Sequence, residues 1–226
     1  MLNASFYITV AHIGDLPLES LAEVAFAGRS NAGKSSAINS IAQHKRLAFV
    51  SKMPGRTQHL NYFRVGEQRY LVDLPGYGYA RAPIVQKRTW QGLIGGYLHD
   101  RPQLRGLVLI MDIRHPFTEL DLDLLHWFKQ TGRPVHILLS KSDKLSRSQA
   151  FATLSAVRDT LAREGILGDA QLFSSLKRVG QEQAEAVLRG WLDLAKPPVA
   201  AKPAPAPVEA KKMPGSRGYK AGRTEP

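Results

Sequence analysis

Residues 23–36 read Glu23-Val24-Ala25-Phe26-Ala27-Gly28-Arg29-Ser30-Asn31-Ala32-Gly33-Lys34-Ser35-Ser36. A short apolar run, Glu23 to Ala27, is followed at once by the pattern GxxxxGK[ST] over residues 28–35. Ile38 and Ile41 then continue on one helical face. Strand, glycine loop and helix in that order form the context in which the pattern marks a phosphate site. Gly28 and Gly33 lack Cβ, so the backbone can curl and aim several N–H groups at one point. The start of the following helix adds its own free N–H groups. Lys34 is a compact cation able to reach β- and γ-phosphates, and the Ser35 hydroxyl is a ligand for Mg²⁺.

Outward from this stretch, apolar runs alternate with amphipathic ones. Residues 69–73, 107–111 and 135–139 read as strands covered on both faces, with 172–173 a shorter candidate. Residues 118–130, the segment opened by Ser146-x-x-Gln149, and a last stretch carrying Ala184, Val187, Leu188, Trp191 and Leu192 read as helices. The alternation predicts an α/β fold, a mostly parallel sheet with helices on both faces. Ligands in such sheets bind beyond the carboxyl ends of the strands.

Three further motifs fall at those ends. Asp73-Leu74-Pro75-Gly76 closes the 69–73 run. Its carboxylate is placed to hold Mg²⁺ through water, and the Gly76 N–H to approach a γ-phosphate. Loss of that phosphate is expected to release the segment from Tyr77 to Arg81. Ser140-Lys141-Ser142-Asp143 follows the 135–139 run. A carboxylate at Asp143 accepts from the N1–H and 2-amino groups of guanine. Adenine offers neither donor, a difference able to support discrimination of roughly 10⁴-fold. Lys141 can lay its aliphatic stem on the base face. Phe173-Ser174-Ser175 supplies backbone N–H groups for the base carbonyl. Between the phosphate loop and Asp73, Gly55-Arg56-Thr57-Gln58-His59 is polar and basic, with Thr57 a candidate second hydroxyl on Mg²⁺.

With these motifs in order, the chain resembles the YihA/EngB (YsxC) family of bacterial GTPases over roughly residues 5–195. The matching stretches are EVAFAGRSNAGKSS, PGRTQHLNYF, VDLPGYGYA, LSKSDKL and FSSLKRVG. The resemblance implies a Ras-like GTPase domain, Mg²⁺-dependent binding of GTP and GDP, and a partner in the large ribosomal subunit or its precursor, rRNA and ribosomal proteins included. It further implies a requirement in cell division and septation. Family members often carry Thr where Ser140 stands. Lys34, Thr57 and Gly76 are the expected catalytic residues. Tyr77 stands where many small GTPases hold a water-orienting Gln, which implies slow turnover. Asn31 is a candidate K⁺ ligand, and Arg56 an alternative source of charge stabilisation.

The chain of 226 residues carries a net charge of +12, which points to a polyanionic partner. No cysteine is present, so disulfides and thiolate chemistry are excluded. No membrane-spanning run and no signal pattern are read, and a soluble cytoplasmic protein is expected. The seven histidines show no ligand spacing, and His59 and His115 read as polar surface groups. Residues 1–20 read as an extension packing on the domain, 21–195 as the GTPase domain, and 196–226 as a basic Pro/Ala/Lys-rich disordered tail. Two other readings stand beside the switch: a nucleic-acid or division-protein binding module holding nucleotide mainly for structure, and an ATP-dependent enzyme.

Overall fold

The computed structural model describes residues 2–44, 46–48, 59–78 and 92–194. Among them seven strands form one sheet: β1 (Ser5–Val10), β2 (Ala22–Gly28), β3 (Leu60–Gly66), β4 (Arg69–Asp73), β5 (Leu104–Asp112), β6 (Val135–Ser140) and β7 (Gly168–Leu172). Their spatial order is β1-β3-β4-β2-β5-β6-β7. β2 pairs in parallel with β4 and β5, and β6 in parallel with β5 and β7. β3 runs antiparallel to both β1 and β4. The helices are α1 (Lys34–Ile41), α2 (Leu93–Asp100), α3 (Glu119–Lys129), α4 (Arg147–Arg163) and α5 (Gln181–Trp191).

The pleat of β2 explains why helices cover both faces. Ala25 and Ala27 point into one apolar layer, with Tyr97 and Leu98 of α2, Leu124, Leu125 and Phe128 of α3, and Val157 and Leu161 of α4. Val24 and Phe26 point into the other, with Ile38 and Ile41 of α1 and Ala184 and Leu188 of α5. All seven β2 residues are buried. The lower end of β2 carries Glu23, fully buried and paired with Arg101 at 2.6 Å, while the Tyr62 hydroxyl donates to its other oxygen at 3.1 Å.

The central strands lie where the apolar runs placed them. The last candidate strand is displaced: it runs from Gly168 to Leu172, and Phe173 lies beyond it, fully buried. β1 and β3 were not expected: Phe6, Tyr7 and Ile8 of β1 are exposed rather than buried on both faces, and the apolar residues of β3 are interrupted by Asn61 and Arg64. β1 supplies the sheet edge from within residues 1–20, and its ladder with β3 is supported across the pair by Phe6 on Phe63 and by Thr9 Oγ1 donating to Asn61 Oδ1 at 2.8 Å. The Ser146 capping box forms, with Gln149 N donating to Ser146 Oγ and Ser146 N to Gln149 Oε1.

Candidate nucleotide site

The carboxyl ends of four strands line up. Phe26 pairs with Asp73, Gly28 with Ile110, and Asp112 with Ser140. β2 sits between β4 and β5, whose chain connections depart in opposite directions, so the loops leaving these ends open a crevice.

The phosphate loop leaves β2 at Gly28, where an added Cβ would stand 2.8 Å from the Ile110 carbonyl oxygen. Asn31 takes the left-handed conformation at φ 67°, and Gly33, at φ 103°, precedes α1. The loop is braced from two sides. Ser30 N donates to Tyr77 O at 2.8 Å, and Ser140 Oγ contacts Ala32 O at 2.5 Å. The Lys34 ammonium contacts the Asp73 carboxylate, and both side chains are nearly buried. Gly76 is exposed beside Ser30, and a Cβ there would stand 3.2 Å from Ser30 Oγ.

The Ser140 hydroxyl lies within reach of two carbonyls, Ala32 O and Met111 O. Lys141 also takes the left-handed conformation, and its ammonium donates to Asn31 O at 2.7 Å. Asp143 sits in a single 3₁₀ turn, Ser142–Lys144. It accepts a hydrogen bond from Ser174 Oγ at 2.5 Å. That hydroxyl, with smaller help from Lys144 and Lys177, holds the carboxyl below its ordinary range. Phe173 O accepts from Ser142 N at 3.1 Å, which ties the two base-side loops together.

The structure therefore brings residues 28–36, 73–76, 140–143 and 173–175 to one end of the sheet. Gly55, Arg56, Thr57 and Gln58 lie outside the described residues, as do Tyr79, Ala80, Arg81 and the 196–226 tail. His59 is half-buried just before β3, and His115 is exposed.

Tyr77, the first residue of the segment expected to be released when phosphate is lost, is buried in the core, 7% exposed. Its hydroxyl donates at 2.5 Å to Asp121, a 2% exposed carboxylate at the start of α3. Burial and that carboxylate push the phenol well above its ordinary range. Gly78, next along, takes a left-handed conformation at φ 85°. Sequence reading also passed over Asp112, at the end of β5. It lies between Lys141 and Arg114, and the Arg114 guanidinium holds its carboxyl well below the usual range. A carboxylate ending an apolar run was the available signal.

The donor set suits a hard divalent cation. Ser35 offers a hydroxyl oxygen next in sequence to Lys34, whose ammonium meets the Asp73 carboxylate. Among the described residues no group of three or more His, Asp or Glu gathers in a metal-like cluster. Few protein oxygens, completed by phosphate and water, is the arrangement Mg²⁺ favours. No helix among the described residues is long and apolar enough to cross a membrane.

A family profile described as "50S ribosome-binding GTPase" matches residues 23–141. The chain is 62% identical over 194 residues to a probable GTP-binding protein EngB of Dechloromonas aromatica (strain RCB), covering 85% of this chain and 88% of that one. It is 52% identical over 224 residues to the probable EngB of Ralstonia pickettii (strain 12J), covering 94% and 95%. Among solved structures, a probable GTP-binding protein engB superposes with TM-score 0.60 at 17% identity, over 76% of this chain and 99% of that one. A bacterial selenocysteine-specific elongation factor superposes with TM-score 0.57 at 16% identity, over 78% of this chain and 29% of that one. These two likenesses show the fold.

Proposed function

The chain belongs to the EngB family of GTP-binding proteins, and from that membership we propose that it is a Mg²⁺-dependent GTP switch in the cytoplasm acting on assembly of the large ribosomal subunit. It is a P-loop GTPase, hydrolysing GTP to GDP and phosphate. A role in cell division and septation belongs to the same proposal.

The observation that carries the guanine reading is the Ser174–Asp143 contact across from Lys34 at the strand ends. An ionised carboxylate, already oriented by one hydroxyl, keeps lone pairs for the two donors of guanine. The backbone of residues 29–35 wraps the phosphates, and Lys34 turns from Asp73 toward the β- and γ-oxygens. Ser35, Asp73 through water, and Thr57 would hold Mg²⁺, which when bound neutralises charge on those oxygens. Water attacks the γ-phosphorus in line as the bond to the bridging oxygen breaks; Lys34 and the Gly76 N–H stabilise the developing charge. The Tyr77 hydroxyl is engaged with Asp121 in the core, and an aromatic ring offers no amide to orient water. Both points support slow intrinsic turnover. K⁺ beside Asn31, or Arg56, would then supply the missing charge; equal turnover in K⁺ and Na⁺ buffers would remove the K⁺ reading.

Charge distribution supports a polyanionic partner reached through particular segments. The described residues carry 18 Lys or Arg against 17 Asp or Glu. Positions 45, 49–58 and 79–91 add six basic residues and no acid, and 195–226 add seven against two. The excess thus falls on the stretches that follow the phosphate loop and the Asp73-to-Gly76 motif, and on the basic tail. Deleting residues 196–226 is expected to flatten the salt dependence of rRNA binding.

The test is co-sedimentation with large and small ribosomal subunits under GDP and a non-hydrolysable GTP analogue, with single-turnover hydrolysis measured alongside. Selective, nucleotide-dependent association with the large subunit is expected. Equal association in both nucleotide states, with no hydrolysis above background, would favour the binding-module reading instead.

A further inference from the structure

The Asp112 carboxylate lies where three loops meet. Arg114 closes on it from one side: Nε donates to Oδ1 at 2.9 Å, a terminal N to Oδ2 at 2.6 Å, and the backbone N to Oδ1 at 3.1 Å. From the other side the Lys141 ammonium donates to Oδ2 at 2.9 Å and, in the same pose, to Asn31 O in the phosphate loop at 2.7 Å. The backbone beneath is equally fixed, with Ile113 N donating to Ser140 O at 3.0 Å. Asp112 is 7% exposed, while Lys141 and Arg114 reach it from partly exposed positions.

Lys141 is a long side chain with many rotamers, and one carbonyl is a weak tether for it. A buried carboxylate on the far side of its ammonium selects one extended pose. That pose ties the 140–143 loop to the phosphate loop through the Lys141 ammonium. We propose that Asp112 is a positioning residue for nucleotide binding: it holds Lys141 across Asn31 so that the stem is a ready-made platform for the base. This rests on the guanine-nucleotide reading above and adds to it a residue that touches neither base nor phosphate.

The experiment is a double-mutant cycle on the full chain, reading fluorescent GDP affinity and dissociation rate for wild type, Asp112→Asn, Lys141→Met and the double variant. Asp112→Asn is expected to weaken GDP roughly tenfold or more, mainly through faster dissociation. In the Lys141→Met background the same change should cost less than about twofold, since no ammonium remains to be placed. A residue that merely holds the Arg114 turn would weaken binding equally in both backgrounds, and that result overturns the inference. Unchanged affinity in a cooperatively melting Asp112→Asn overturns it as well. If Asp112→Asn does not fold, Asp112→Glu keeps a charge for Arg114 while moving the oxygen off Lys141, and the same criteria apply. Wild type binding GDP no better than ADP would overturn the guanine reading itself and is seen before any variant is compared.

Discussion

Replacing Tyr77 by Phe removes one oxygen and leaves the ring in place. The apolar packing of this 7% exposed side chain is kept, so no cavity contribution arises. What is lost is a 2.5 Å hydrogen bond to Asp121 Oδ1. The other carboxylate oxygen is already taken by Thr118 N at 3.0 Å and Thr118 Oγ1 at 2.7 Å. Asp121 is 2% exposed, so its Oδ1 is left buried without that donor. Hydrogen bonds to charged groups contribute about 1.5–3 kcal/mol. For a domain of this size each kcal/mol moves the melting temperature by about 2–4 °C. The expected loss is therefore about 3–12 °C, read by circular dichroism at pH 7. A second readout follows from the backbone, where Tyr77 O accepts from Ser30 N and Tyr77 N donates to Gly28 O at 3.4 Å. Loosening Tyr77 disturbs neighbouring Gly76, so affinity for a GTP analogue should fall more than affinity for GDP. A melting temperature within about 1 °C of wild type would show that Asp121 recovers a partner without the phenol, and the reasoning would fail.

Asp143→Asn should weaken GDP by at least about 100-fold with little effect on melting, since the carboxylate is replaced by an amide that presents a donor to guanine donors; isothermal titration checks it. Gly28→Ala places a methyl 2.8 Å from a backbone carbonyl of β5 that cannot swing aside, so a loss of about 1–3 kcal/mol is expected in urea unfolding. His136 is buried, and burial lowers its pKa below the ordinary value of about 6.5. The unfolded chain then binds more protons, so stability is full above about pH 6.5 and falls as pH drops below it. Melting curves from pH 7.5 to 5.5 should show that fall, and His136→Gln should reduce it.

What was legible in the sequence was local. The phosphate loop announces itself because its glycines, lysine and serine are consecutive, and the Ser146–Gln149 cap because its partners are three residues apart. β2, β5 and β6 are readable because burial on both faces leaves an unbroken apolar run. β1 and β3 are not, because an edge pair is stabilised by its cross-strand partners. Asn61 is satisfied by Thr9, 52 residues earlier, and the Arg64 guanidinium lies over the Tyr7 ring at 4.3 Å. Neither pairing is visible within a window of ten residues. The same holds at the site. Asp112 finds Lys141 29 residues on, and Tyr77 finds Asp121 44 residues on, so neither pairing could be read locally.

A candidate pocket assembled from residues 28–76 and 140–175 carries a consequence for its synthesis. The residues of the phosphate loop and of the Asp73-to-Gly76 motif are made first, but the loop's brace from Ser140 to Ala32 O comes later, and the carboxylate proposed to read guanine waits for Ser174, some hundred residues after Gly76. An emerging or prematurely terminated product would possess the anchor without the discriminator, and would hold nucleotide loosely and indiscriminately if at all. On the proposed guanine reading, tight retention of the correct purine would thus report that translation has passed residue 174.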